Sequence, residues 1–122
     1  MPTEPDPVTL AQVVHRAAEV VDPDGADPDV TDFLLRYEDA DEPITAVGDP
    51  EGRLAEGAGA LDPQQESGPL QIAVAVATYL AFRRDELAED PDELVRLAVR
   101  AEFDGPPPQP VADWLALNGV EV

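Results

Sequence analysis

Four of the seven arginines fall on two consecutive predicted helices and form the first group of residues that could do chemistry. They are Arg83, Arg84, Arg96 and Arg100. If the two helices meet near their Asp-Pro connection, the four guanidinium groups lie close together on a strongly negative protein. Arginine binds carboxylate and phosphate groups through paired hydrogen bonds, so this group is a candidate site for an anion or a protein partner. The alternative is that the arginines pair with nearby acidic side chains at helical spacing.

Four aspartates are concentrated in one short segment between the first two predicted helices. They are Asp22, Asp24, Asp27 and Asp29. Carboxylate oxygens are the ligands that calcium and magnesium prefer, which makes the segment a weak candidate for a cation site. Its spacing departs from that of an EF-hand, because Phe33 stands where the bidentate glutamate belongs. The alternative interpretation is a turn followed by a helix cap.

The sequence lacks most of the residues that nucleophilic catalysis and metal binding require. There is no cysteine and no lysine, which excludes thiolate nucleophiles, cysteine-ligated metals and Schiff bases. His15 and Glu19 share a helix face and could hold a metal, but a single histidine without cysteine provides few ligands for a transition metal, and a solvated polar stripe explains the pair better. Ser67, the only serine, is better explained as a helix cap than as a nucleophile. We therefore assign no catalytic residue and expect no cofactor.

The charge is the most unusual property of the chain. It has 27 acidic and 7 basic residues among 122, for a net charge of −20. The acidic residues are scattered along the whole sequence, which is typical of adaptation to molar salt, where self-repulsion is screened within about 3 Å. Two other interpretations stay open. The charge could imitate nucleic acid or dock on a basic partner, or it could belong to an ordinary acidic protein.

Helix start signals recur along the chain. Thr9 to Gln12 fits a capping box and predicts a helix to about Val21. Asp27, followed by proline at the first helical position, predicts a second helix that ends before Asp41. The same pattern at Asp90 predicts another helix as far as about residue 103, and a short last helix is predicted over 110–118, with Gly119 in the left-handed position after it.

The middle of the chain is harder to interpret. Residues 44–56 fit a small β-hairpin, or equally an irregular loop. Residues 69–89 are predicted to form the longest helix, with Ser67 as its cap. The segment 72–82 is apolar nearly all round, so this helix is expected at the centre of the fold. Its branched residues also alternate as in a strand, but its alanines and its length favour a helix.

These elements predict an all-α, or mainly α, protein of about five helices packed around the central apolar helix. Residues 1–7 are predicted to be a disordered acidic tail, and residues 8–122 a single small domain without internal repeats. Neither a signal peptide nor a membrane-spanning segment is expected, and we predict a cytoplasmic location.

Three functions are compatible with this sequence. The first is a non-catalytic helical module that acts through protein–protein contacts, with another protein or with a second copy of itself. The second is a polyanion that imitates nucleic acid or inhibits a basic partner. The third is an enzyme that uses carboxylates or a divalent metal, which requires a concave site where at least two acids with shifted pKa values converge. Direct binding to nucleic acid or to a membrane is not expected.

Overall fold

A computed structural model describes residues 8–83, 86–103 and 105–121 and confirms the all-α fold. These residues form six α-helices and no strand. The helices are α1 (Leu10–Val21), α2 (Pro28–Tyr37), α3 (Pro50–Leu61), α4 (Gly68–Phe82), α5 (Pro91–Glu102) and α6 (Gln109–Leu117). The tail predicted at 1–7 lies outside the described residues.

Most helices begin as the sequence predicts, at a capping side chain followed by proline in the first turn. Thr9 and Gln12 form the reciprocal capping box of α1, with N···O distances of 2.8 and 3.2 Å. The Asp27 carboxylate accepts hydrogen bonds from two N–H groups at the start of α2, and Asp90 accepts one at the start of α5. Ser67 accepts the N–H of Leu70 and caps α4. Each cap satisfies N–H groups that the helix itself leaves free, so the cap fixes where the helix begins.

The apolar helix α4 is the centre of the fold, as predicted. It packs against α1, α2, α3, α5 and α6. Its most deeply buried side chains are Leu70, Ile72, Ala73, Val76, Ala77 and Leu80, all no more than 1 % exposed. Because several helices surround α4, it needs no continuous polar face.

The predicted end of this helix is wrong, because α4 stops at Phe82 and not near residue 89. Arg83 leaves the helical conformation, and the described residues 86–89 form a tight turn. Arg16 of α1 stabilises that turn by donating hydrogen bonds to the carbonyl oxygens of Leu87 and Glu89, at 2.8 and 2.9 Å. The Tyr79 hydroxyl also donates to the Glu86 carboxylate. The two bonds from Arg16 satisfy backbone carbonyl groups of this turn.

The possible hairpin over 44–56 is also wrong. Ile44–Ala46 is a short 3-10 helix, and α3 begins at Pro50. Asp49 caps α3 by accepting the N–H of Gly52 at 3.1 Å, which is the same aspartate–proline signal that begins α2 and α5. Leu54 is fully buried and joins α3 to the core. Helix formation therefore buries a leucine that a two-stranded hairpin would leave poorly covered.

The connections α1–α2 and α3–α4 have the same structure, a repeat that the sequence analysis did not detect. In each, an aspartate after the first helix accepts two backbone N–H groups, four and five residues ahead. Asp22 accepts those of Ala26 and Asp27 at 3.0 and 2.9 Å. Asp62 accepts those of Glu66 and Ser67 at 3.0 and 2.8 Å. A proline follows both aspartates, and the residue at the end of each loop caps the next helix.

The two connections differ at the position with left-handed backbone, which predicts a stabilising substitution. Gly25 occupies it in the first connection at φ +66°, and Gln65 in the second at φ +56°. A residue with a side chain pays about 1–2 kcal/mol to adopt left-handed backbone, and glycine avoids this cost. Glycine is also more flexible in the unfolded chain, which offsets part of its advantage. We expect Gln65→Gly to raise the free energy of unfolding by about 0.5–1 kcal/mol, measured by urea denaturation. Gly25→Gln, the reverse exchange, should lower it; equal effects of both variants would contradict the explanation.

Candidate functional site

The three described arginines of the predicted group, Arg83, Arg96 and Arg100, do not line one common pocket. Arg96 donates to the Glu93 carboxylate at 2.5 Å and to the Glu121 carbonyl at 2.8 Å, so it is occupied within its own region. Arg83 lies at the end of α4 and lines a pocket described below, whereas Arg100 is exposed on α5 and does not line it. Arg84 lies outside the described residues. A shared anion site for these arginines stays a prediction without support from their placement.

Two of the four aspartates of the α1–α2 connection bind backbone N–H groups. Asp22 and Asp27 accept the N–H groups of the loop and of the first turn of α2. Asp24 is exposed, and Asp29 is half-buried in the first turn of α2. Throughout the described part of the chain, no group of three or more histidine, cysteine, aspartate or glutamate residues is placed to hold a metal ion. The capping alternative therefore accounts for Asp22 and Asp27.

The His15–Glu19 pair is likewise placed on the surface. Both residues are exposed, and Glu19 forms an ion pair with Arg16 at 2.5 Å. They line a shallow depression between α1 and α2 together with apolar side chains. This placement fits the solvated polar stripe that was the alternative to a metal site.

A groove with a largely apolar floor lies along α4 between α3 and α5. Two neighbouring pockets, of about 210 and 270 Å³, lie along α4 and share Glu102. We call their combined surface the α4 groove. It is lined by Glu51, Ala55, Ala58 and Gly59 from α3, by Val74, Ala75, Thr78, Tyr79 and Phe82 from α4, and by Ala98, Ala101 and Glu102 from α5.

The α4 groove is open because its walls are made of small residues. Alanine and glycine face it from α3, and two alanines face it from α5. A side chain added at Gly59 would meet no atom within 4 Å. The floor is apolar and incompletely covered: Val74 and Tyr79 are half-buried, and Phe82 is 60 % exposed. The spacing i, i+4 and i+8 places Val74, Thr78 and Phe82 along one face of α4, and Tyr79, three residues before Phe82, lies at the edge of that face.

Two carboxylates face each other across this groove. Glu51 on α3 and Glu102 on α5 both line the pocket that contains Phe82. Burial of its carboxyl group, with repulsion from Glu51 added, raises the pKa of Glu102 above its ordinary value. Among the residues that the structure describes, neither carboxylate has an ion-pair partner, although Arg83 lines the same pocket.

The raised pKa of Glu102 predicts a pH-dependent effect on stability. Its pKa in the folded state lies above the ordinary 4.5, so ionisation costs stability above pH 4.5, and the cost is complete above the folded-state pKa. We expect Glu102→Gln to raise Tm at about pH 7; this advantage should shrink as the pH falls through the folded-state pKa and vanish below about 4.5. Thermal unfolding followed by circular dichroism across this range measures it. Glu38→Gln, on the exposed end of α2, is the control. Equal shifts for both variants at every pH would contradict the assigned cause.

Sequence reasoning missed this groove, and the signal that could have indicated it is weak. The absence of a polar stripe on α4 was visible, but it indicated only burial. Which part of α4 its neighbours leave uncovered depends on the positions of α3 and α5, and α3 was predicted as a hairpin or a loop.

Comparison with known proteins adds no relative to this description. The chain matched no model of a protein family, no curated protein and no solved structure. None of the described helices is long and apolar enough to cross a membrane. The class that the fold and site define is an all-α helical protein with an open apolar groove.

Proposed function

We propose that this protein is a non-catalytic helical module that binds a helical segment of another protein in the α4 groove. The observation that carries the proposal is the uncovered stripe of α4, on which Val74, Tyr79 and Phe82 follow each other between walls of small residues. Its span from Val74 to Phe82 is about 12 Å, or roughly two helical turns. Helices dock into apolar grooves of this kind through anchors spaced along one face.

Charge favours a different protein over a second copy as the occupant. Salt screens repulsion between exposed charges, but the two glutamates that stand in the groove itself would be partly desolvated in an interface and therefore screened much less. Bringing two copies together at this surface would place like charges across a partly desolvated interface. A partner whose docking helix is apolar and not acidic avoids this repulsion.

A displayed peptide library tests the proposed docking. The probe is a library of helical peptides of about 15 residues, roughly four turns, with varied apolar and charged positions. Selection uses the wild-type protein in the lowest KCl concentration at which circular dichroism shows full helicity. We expect peptides that bind the wild-type protein and lose at least about tenfold in affinity for Gly59→Leu, since the added side chain fills the groove.

The neighbouring position on α3 supplies the matched control. Ala60 is exposed and does not line the α4 groove, so Ala60→Leu adds comparable apolar surface elsewhere. Peptides should bind Ala60→Leu as they bind the wild-type protein. The proposal is overturned if no peptide is retained, or if Gly59→Leu and Ala60→Leu bind equally well. It is also overturned if light scattering shows a dimer that Gly59→Leu alone dissociates.

We further propose that the acidic surface is an adaptation to a salt-rich cytoplasm. Only three ion pairs are formed within the described residues, so screening by salt must offset much of the repulsion among the carboxylates. We expect helicity and compactness to increase strongly between about 0.1 M and about 3 M KCl, measured by circular dichroism and size-exclusion chromatography. Complete folding at the lower concentration would contradict this and would make the acidity a candidate surface for basic partners.

A second candidate function has one specific observation in its favour. Glu51 and Glu102 converge in a concave site, and the pKa of Glu102 is raised, which is part of the arrangement expected of a carboxylate-dependent enzyme. Two carboxylates across a cleft can act as general acid and general base in hydrolysis. A panel of chromogenic glycosides and esters tests this candidate. The candidate is supported if the wild-type protein is active and each single variant, Glu51→Gln and Glu102→Gln, is inactive. It is refuted if either single variant keeps the activity.

A further inference from the structure

We infer that the helix bound in the α4 groove carries a lysine or arginine whose cationic group lies between Glu51 and Glu102. This inference rests on the proposed function and adds to it the chemistry of the partner. It assigns the two glutamates as specificity-determining residues in a groove that is also lined by Asp62, Gln65, Gln71 and Arg83.

The two carboxylates lie on opposite walls of the α4 groove. Glu51 precedes Ala55 by one helical turn, so both face the groove from α3. Glu102 lines both pockets from the opposite wall and therefore lies near the middle of the groove. A helix lying along α4 must pass between them. One residue of such a helix then faces both glutamates.

Within the described residues, neither of these two carboxylates forms an ion pair. The ion pairs present there use Glu19, Glu42 and Glu93. Asp62, the other acid at the groove, differs because its two oxygens accept the N–H groups of Glu66 and Ser67. Glu51 also contributes to the raised pKa of Glu102, which shows that the two charges are close enough to interact. The groove thus offers two carboxylates for pairing.

A helix bound in the groove would cover the carboxylates of Glu51 and Glu102. An apolar helix would cover two carboxylates in a pocket whose described lining has one cationic side chain, Arg83, so a negative charge would be left away from water, which is strongly unfavourable. One lysine or arginine at this position would pair with both and would remove their mutual repulsion. The flanking positions of the same helix would meet Val74 on one side and Phe82 on the other. The fitting partner is therefore an amphipathic helix with a basic residue between two apolar anchors.

A second copy of this chain fits that description poorly. The chain has seven basic residues in total, all of them arginine. Arg16, Arg53 and Arg96 are already in ion pairs. Arg36 and Arg100 are exposed on their helices, Arg83 lines the groove itself, and Arg84 lies outside the described residues. A basic helix from another protein is the occupant that the charges favour.

The experiment repeats the library selection on a variant without the two charges. Glu51→Gln/Glu102→Gln keeps the shape of both side chains and removes the repulsion, so it is expected to fold. The control is Glu38→Gln/Asp39→Asn, which makes the same change in net charge at two exposed positions outside the groove. Among groove binders, we expect enrichment of lysine or arginine at one position for the wild-type protein and the control, and none for the groove variant.

One selected peptide then gives the size of the effect. Replacing its basic residue with norleucine should weaken binding to the wild-type protein by about tenfold and leave binding to the groove variant unchanged. If peptides bind in the groove, as judged by Gly59→Leu, but show no basic preference, this inference is wrong while the proposed function stands. If no peptide binds in the groove, both are wrong. A basic preference that persists in the groove variant would also overturn the inference.

Discussion

Replacing Gly68 with alanine is expected to lower the free energy of unfolding by about 2–3 kcal/mol, as overpacking against backbone does. Gly68 is the first residue of α4 and is buried beneath α6. A β-carbon at this position would lie 2.2 Å from the carbonyl oxygen of Pro110, and 2.8 Å from its carbonyl carbon. Because these atoms are backbone, no change of rotamer can relieve the clash, and α6 must shift. Urea denaturation measures the loss.

A glycine on the neighbouring helix provides the matched control. Gly59 lies within α3, and its added β-carbon would meet nothing within 4 Å. There the only consequence of alanine is its higher helix propensity, so Gly59→Ala should stabilise the protein by about 0.5–1 kcal/mol. The same chemical change in two helices thus has opposite expected signs. A destabilisation by both, or by neither, would show that the contact of Gly68 with α6 does not determine the result.

The caps of this fold could be predicted from sequence because each depends on a few adjacent residues. Thr9, Asp27, Ser67 and Asp90 begin their helices as their types and the following residues indicate. The C-terminal end of α6 is equally local: Gly119 adopts φ +67°, and the N–H of Val120 bonds to the carbonyl of Leu115 at 2.9 Å. Local hydrogen bonds of this kind need no knowledge of the remaining fold.

The incorrect predictions concern elements whose structure depends on tertiary contacts. Asp49 and Pro50 carry the same start signal as the other helices, but α3 contains three glycines, which lower its helix propensity. Burial of Leu54 and a hydrogen bond from Tyr37 to the carbonyl of Arg53 offset that weakness. The end of α4 is similar, because Arg16, far away in sequence, pairs with the turn that follows it. Neither contact can be inferred from the local pattern.

The α4 groove could not be predicted for the same reason. Its floor is part of an apolar helix, and apolar residues alone do not tell which of them stay uncovered. Its walls consist of alanines and a glycine, which carry no chemical signal in sequence. Glu51 and Glu102 are separated by 51 positions and were two acids among 27. Only the packing of α3 and α5 on α4 gives them a common site.

Loss of the Asp62 carboxylate is expected to have the second largest effect, a destabilisation of about 2 kcal/mol for Asp62→Ala. Asp62 ends α3, and its two oxygens hold the N–H groups of Glu66 and Ser67. Ser67 in turn caps α4, so the substitution leaves two N–H groups without their acceptor and loosens the start of the central helix. The repeated connection predicts a similar loss for Asp22→Ala, whose carboxylate holds Ala26 and Asp27. Urea denaturation at constant KCl measures both.

Asp24→Ala separates this hydrogen-bonding role from the effect of charge. Asp24 is exposed in the same connection as Asp22, and removing it lowers the net negative charge equally. Because relief of repulsion is then the main effect, Asp24→Ala should be neutral or slightly stabilising. Asp62→Asn should recover part of the lost stability, since its amide oxygen can still accept one of the two N–H groups. If Asp24→Ala destabilises as much as Asp22→Ala, the aspartates of that connection act through their charge, and a cation held among them would become the better explanation.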